Sequence, residues 1–317
     1  MFRPVVLFRC AALHLTLGSA LALLPAASQA ALPPEFAQAL ARAGVPTDAV
    51  SVMVTPVPGA ASASMTPVSA GRAGAVGTPP PVRLSHRADA SMNPASVMKL
   101  ITTYAGLDLL GTDFTWTNRV YVDGPVTDGV LDGNLIIRGS GDPKLVLERV
   151  DALLRQVMAQ GVREVRGDIV LDRSIFQVPE RHPGAFDDEP LRPYNASPDG
   201  LLVNFKSLVF TFTPDPSRAQ ALIRSEPPIA GVEIPASLAL ASGPCGDWRA
   251  GLRADFSSPD RVRFAGRYPA ACGERLWPVA YVEPRAYAAR VVQAMWDAAG
   301  GRLQGRVREG TTPAAAR

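Results

Sequence analysis

The sequence predicts an α/β fold in which a first α/β segment is interrupted by β-rich insertion and resumes near the C-terminus. Three observations predict it. Apolar residues recur at helical spacing in an early segment around residues 93–111, β-branched and aromatic runs of strand length crowd 114–138 and 201–268, and a long helix returns over 284–299. Domain boundaries are therefore expected near 120 and 280, giving a first part at 31–120, an inserted part at 121–279 and a returning part at 280–317.

Residues 1–30 read as an export signal. Arg3 and Arg9 supply the positive region, 10–24 the apolar run, and Ser28-Gln29-Ala30 a small-residue cleavage site. No later segment approaches the roughly 18 consecutive apolar residues of a spanning helix, so a soluble exported protein without a membrane span after signal cleavage is expected. Loss of the signal leaves a near-neutral chain with scattered basic residues, which argues against a nucleic-acid partner. Of three cysteines, Cys10 departs with the signal, and Cys245 and Cys272 remain as a pair suited to a disulfide in an oxidising compartment. His86 and His182 have no ligand spacing to a cysteine or to each other, so no metal site is expected.

Along the chain, a short amphipathic helix over 34–43 stops at Gly44, and a strand at 50–54 should pair with another at 82–86. The Ala/Gly/Ser/Pro-rich stretch 56–81 between them reads as an insertion or loop. Asn93 can cap the next helix, with Pro94 at its first position, and the apolar residues Val97, Leu100, Ile101, Tyr104, Leu107 and Leu110 predict a buried helix over 94–110 ending at Gly111. Strands follow at 114–122 and 130–138, a helix at 144–160, and a strand at 165–171. Further strands are expected at 201–205, 208–212, 219–224, 251–256 and 261–268. Trp248, Trp277 and Trp296 read as core or domain-contact residues. The run Arg138-Gly139-Ser140-Gly141-Asp142-Pro143 matches no phosphate-cradling loop and reads as a turn.

Ser96 and Lys99 carry the chemistry. Residues three apart in a helix share a face, so a hydroxyl and an amine come within hydrogen-bond reach. A serine becomes a strong nucleophile when an adjacent base takes its proton. Lysine accepts that proton only when neutral, which calls for a pKa well below its reference of about 10.4. The start of a helix helps, through its dipole and through free backbone N–H groups that stabilise an oxyanion. The chain has only three lysines, Lys99, Lys144 and Lys206, and chance composition gives about 0.2 such quartets. Asp187 and Asp188, after His182-Pro183-Gly184, are candidates to attract a substrate amine, with a solvated acidic turn as the alternative.

The segment MNPASVMKLITTYAGLDLLG resembles the active-site helix of the class C low-molecular-mass penicillin-binding proteins, the exported serine D-alanyl-D-alanine carboxypeptidase/endopeptidases. The likeness continues through LDGNLIIRGSGDPKL, VRGDIVLDRSIF and PYNASPDGLLVNF, and so over most of the chain after the signal. The resemblance implies a serine transpeptidase/β-lactamase-like domain interrupted by inserted β-rich domains. It implies Ser96 as acylated nucleophile and Lys99 as base, peptidoglycan stem peptides as substrate, β-lactams as inhibitors, the periplasm as location, and no cofactor. Family members also use a Ser-x-Asn and a Lys-Thr-Gly element. Neither triplet follows Lys99. Ser91-Met92-Asn93 only leads into the same helix, and Arg308-Glu309-Gly310-Thr311 lacks the lysine. The expectation is thus an incomplete transpeptidase-like domain, the N-terminal part of such an enzyme, poorly active alone. A non-catalytic periplasmic module binding peptidoglycan or a partner is the alternative.

Overall fold

The structure is a computed structural model and describes residues 32–56, 82–179 and 181–317. The export signal at 1–30 and nearly all of the 56–81 loop lie outside the described residues. The chain divides into two compact units, the first through Gly111 and the second from Thr112. No helix among the described residues is long and apolar enough to cross a membrane.

The first unit contains α1 (Pro34–Arg42), β1 (Val52–Val54), β2 (Leu84–His86) and α2 (Met98–Leu110). Pro34 opens α1, Glu35 and Arg42 complement its dipole, and Gly44 leaves it at φ 66°. β1 and β2 pair antiparallel with Val52 opposite His86, the pairing read from sequence. The expected burial of α2 is corrected by the structure: Leu100 and Tyr104 are each 71% exposed, and no residue of the helix is buried. Its apolar residues ring the helix instead of forming one stripe, and a short helix and a two-stranded sheet offer too little surface to cover it.

The second unit runs β3 (Arg119–Val122), β4 (Val126–Thr127), β5 (Val130–Leu131), β6 (Leu135–Arg138), α3 (Leu147–Ala159), β7 (Glu164–Val165), β8 (Ile169–Asp172), β9 (Ser207–Asp215), β10 (Gln220–Glu226), β11 (Ser237–Ala241), α4 (Trp248–Leu252), β12 (Ala254–Asp255), β13 (Arg263–Phe264), β14 (Tyr268–Pro269), β15 (Arg275–Ala280), α5 (Pro284–Ala298), β16 (Arg302–Leu303) and β17 (Val307–Gly310). Two four-stranded sheets have the orders β16-β7-β5-β4 and β17-β8-β6-β3, and a five-stranded sheet the order β14-β11-β10-β9-β15.

Among the runs that pass from one four-stranded sheet into the other, three lie side by side, β5 to β6, β7 to β8 and β16 to β17. The continuous strands expected at 130–138 and 165–171 are therefore each broken. Glycine is the physical reason: Gly133, Gly167 and Gly305 lie at the three breaks in neighbouring strands. A Cβ on Gly167 would stand 2.5 Å from Asn134 Oδ1, and one on Gly305 2.3 Å from the Gly167 carbonyl oxygen. Side chains lace the same row, because Asn134 donates from its backbone N–H to Asp123 and accepts from the Asp168 N–H at 2.7 Å.

β6 and β8 pair parallel and are almost wholly buried, which explains their unbroken Leu-Ile-Ile and Ile-Val-Leu runs. α3 contributes Val150, Leu154 and Val157 to the core, and α5 contributes Tyr287, Val291, Val292 and Trp296. In β9, buried Phe210 and Phe212 alternate with less buried Thr211 and Thr213. The two phenylalanines meet Trp248, Phe256, Phe264 and Tyr268, and Trp277 joins the cluster through Trp248, Phe256 and Phe264, with Phe212 stacked on Tyr268 at 5.6 Å. All three tryptophans read as packing residues do pack, Trp296 with no exposure at all.

Two strand expectations are corrected. Residues 251–256 form the end of α4 and the two-residue β12, because Asp247 accepts the Ala250 N–H and starts a helical turn. Residues 201–205 run into a tight turn at Asn204–Lys206, where Asn204, Phe205 and Lys206 all have positive φ (37°, 54° and 52°).

Cys245, just before α4, and Cys272, just after β14, are joined in a disulfide. It closes a loop of about 28 residues around α4, β12 and β13. Replacing both cysteines by serine is expected to cost about 2 to 4 kcal/mol. Urea unfolding of the oxidised protein and the double variant checks this, and equal midpoints would refute it.

Candidate active site

Ser96 and Lys99 are the pair that local geometry brings together. The Asn93 carboxamide accepts the Ala95 N–H at 2.9 Å, Ala95 takes φ 43°, and a single tight turn, Ala95–Val97, leads into α2. A positive φ at a non-glycine residue is a strained conformation, here beside the candidate nucleophile. Lys99 lies one helical turn after Ser96, and its Nζ donates to Ser96 Oγ at 3.0 Å. Among the described residues no backbone acceptor meets the Ser96 N–H, as expected of the first donors of a helix.

This arrangement can align a proton path from serine to lysine. For Lys99 to act as base the hydrogen bond must reverse, with the Ser96 hydroxyl donating to a neutral amine. Both side chains are exposed. The pair is thus placed for nucleophile activation but is not desolvated.

The acidic candidates belong to the second unit and differ from one another. The Asp187 carboxylate accepts from Tyr194 O–H at 2.7 Å, from Asn195 Nδ2 at 2.7 Å and from the Glu189 N–H at 3.0 Å. The Tyr194 bond above all holds its pKa below the ordinary carboxylate value. Asp188 is exposed at φ 58°, and no hydrogen bond or ion pair reaches its carboxylate among the described residues.

Two groupings escape a reading of the sequence. Asp199 is buried between Arg173 and Lys206, accepting Arg173 Nε at 2.7 Å and lying 2.7 Å from Lys206 Nζ. The one signal for it was Lys206, a rare lysine in an arginine-rich chain. The second is a row of three carboxylates, Glu164, Asp168 and Asp172, which hold residues 302–312. Glu164 bonds Arg302 and Gln304, Asp168 bonds Arg306 and Arg308, and Asp172 bonds Thr312.

Comparison with known proteins adds to this geometry. The family model for Peptidase_S13, the D-Ala-D-Ala carboxypeptidase 3 (S13) family, matches residues 81–317. The chain is 34% identical over 107 residues to the D-alanyl-D-alanine carboxypeptidase DacB of Haemophilus influenzae, a stretch covering 34% of this chain and 22% of that protein. It is 42% identical over 84 residues to a D-alanyl-D-alanine carboxypeptidase of Actinomadura sp. (strain R39), covering 26% of this chain and 15% of that one. Among solved structures, penicillin binding protein 4 (dacB) from Haemophilus influenzae superposes with a TM-score of 0.56 at 22% identity, over 73% of this chain and 51% of that one. The same protein complexed with a novel β-lactam gives 0.50 at 21% identity, over 73% and 49%. These two likenesses carry the fold, an α/β transpeptidase-like architecture with inserted domains. The chain spans about half the length of these solved relatives, and the matched stretches cover a smaller share of the curated ones.

Proposed function

Because the chain belongs to the D-Ala-D-Ala carboxypeptidase 3 (S13) family, we propose that Ser96 is the nucleophile of a serine D-Ala-D-Ala carboxypeptidase/endopeptidase. The observation that carries the reading is the 3.0 Å contact of Ser96 with Lys99 at a helix start within the family match. Ser96 Oγ attacks the carbonyl carbon of the penultimate D-alanine, and its proton passes to Lys99 Nζ. The Ser96 N–H, which no backbone acceptor meets among the described residues, stabilises the resulting oxyanion. Collapse breaks the peptide bond, the departing D-alanine amine takes the proton, and water then hydrolyses the acyl ester to restore the serine.

Peptidoglycan stem peptides are the proposed substrate, β-lactams the inhibitors that acylate the same serine, and the periplasm the proposed location. Asp188 is the better candidate for a substrate ammonium, since the Asp187 carboxylate is already occupied by its own turn. Residues 100–317 hold no Ser-x-Asn or Lys-Thr-Gly triplet. Loss of a single oxyanion donor costs roughly 10² to 10³ in rate, so slow turnover by this polypeptide alone is expected.

The test is mass spectrometry of the purified chain after incubation with a labelled penicillin, beside Ser96→Ala. A covalent adduct on the wild-type chain that is absent from Ser96→Ala is expected. A folded wild-type chain without an adduct would overturn the reading and favour a non-catalytic binding module.

A further inference from the structure

The backbone just before Ser96 is held by a side chain. Ala95 sits at φ 43°, in the left-handed region where a Cβ crowds the chain and glycine is the usual occupant. Two bonds keep an alanine there. The Asn93 carboxamide oxygen accepts the Ala95 N–H at 2.9 Å, and the Ala95 carbonyl accepts the Met98 N–H. The carbonyl bond is one that any helix start makes, whereas the carboxamide bond depends on the residue at 93.

The dihedral at Ala95 decides what the Ser96 N–H can do. A type I turn over 93–96 would need central residues near φ −60°, ψ −30° and near φ −90°, ψ 0°, and its first carbonyl would accept the fourth N–H. Pro94 already meets the first condition, at φ −71° and ψ −15°. Ala95 alone departs from the second. Were it to relax to negative φ, the turn would close and the Asn93 carbonyl would take the Ser96 N–H. As the chain stands, no backbone acceptor meets that N–H among the described residues, and Ser96 Oγ lies 3.0 Å from Lys99 Nζ.

We propose that Asn93 is a positioning residue for the reaction at Ser96. Its carboxamide holds Ala95 left-handed, prevents the turn over 93–96 from closing, and so leaves the Ser96 N–H free for the oxyanion. It acts through Ala95, not on the substrate. The inference rests on the reading of Ser96 as nucleophile and adds the residue that sets its backbone.

The probe is the thiol of Ser96→Cys, made in the full chain with Asn93 intact, with Asn93→Ala and with Asn93→Ser. Cys245 and Cys272 are joined to each other, and iodoacetamide alkylation against pH is read by mass spectrometry on the peptide carrying position 96. A thiol among free N–H groups at a helix start, beside a lysine, ionises below the 8.5 or so of free cysteine, so a midpoint of about 7.5 is expected with Asn93 intact. Asn93→Ala is expected to return it to about 8.5, and Asn93→Ser, whose hydroxyl can accept the same N–H, to bring it back to about 7.5. With Ser96 in place, Asn93→Ala is expected to slow penicillin labelling at least tenfold and Asn93→Ser to recover it. A midpoint that is not lowered with Asn93 intact, that Asn93→Ala leaves unchanged, or that Asn93→Ser fails to restore would overturn the proposal. A wild-type chain without a penicillin adduct would overturn the nucleophile and this proposal with it. An adduct on the wild type together with equal midpoints would overturn this proposal alone.

Discussion

Asp199→Ala is expected to lower the stability of the second unit by about 3 to 5 kcal/mol, the cost of stranding buried charge. The Asp199 carboxylate is 1% exposed and Lys206 6%. Arg173, largely buried, approaches with Nε at 2.7 Å and Nη2 at 2.6 Å, and the Leu201 N–H adds a bond of 3.0 Å. Glu309 from β17 balances Arg173 on its other side. Without Asp199 the Lys206 ammonium keeps no ion-pair partner among the described residues. Lys206 also ends the turn of three positive-φ residues, whose strain the ion pair opposes. Lys206→Met should cost less, since Arg173 and Asp199 remain paired. Urea unfolding at neutral pH measures both, and an Asp199→Ala loss under 1 kcal/mol would show that the cluster is not what holds this region.

Asp172→Ala should cost about 3 to 4 kcal/mol, because a buried charged acceptor and several of its bonds go together. Burial by itself would raise the Asp172 pKa, but hydrogen bonds from Ser174 and Thr312 outweigh it and hold the value at about 2. Asp168 is lowered chiefly by Arg308, and Glu164 chiefly by Arg302. Groups that titrate lower in the folded state stabilise it fully above the ordinary carboxylate range. That stabilisation is lost as pH falls through the folded-state values. Between about pH 4 and pH 2 the Asp172 contribution, about 2 kcal/mol, should disappear. Urea midpoints at pH 7, 4 and 2.5 should fall for the wild type and fall less for Asp172→Asn. Parallel curves for the two proteins would exclude the carboxylate as the cause.

Local signals carried far in this chain. Pro34 and Gly44 delimit α1, the β-branched segment that became β1 does pair with β2, and the spacing of Ser96 and Lys99 foretold their contact. Non-local causes were invisible. The breaks at Gly133, Gly167 and Gly305 depend on three strands lying side by side, so no single window around any one of them reveals a bend. The turn at Asn204–Lys206 sits in a run of apolar residues that reads as a strand, and its reversal rests on Asp199 and Arg173, distant in part from it. α2 read as buried because its residues are apolar, yet periodicity cannot say whether a covering surface is at hand.

The parallel pairing of β17 with β8 has a kinetic side. Glu164, Asp168 and Asp172 meet partners 138 to 140 positions further along the chain. Closing so long a loop costs entropy before any contact rewards it, and contacts of this range slow folding. The β9–β10 hairpin needs only nearby residues and can form early. On the ribosome, β8 and its carboxylates emerge well before residues 302–312 and must wait with one edge unpaired. Refolding of the second unit should therefore be limited by the arrival of β17.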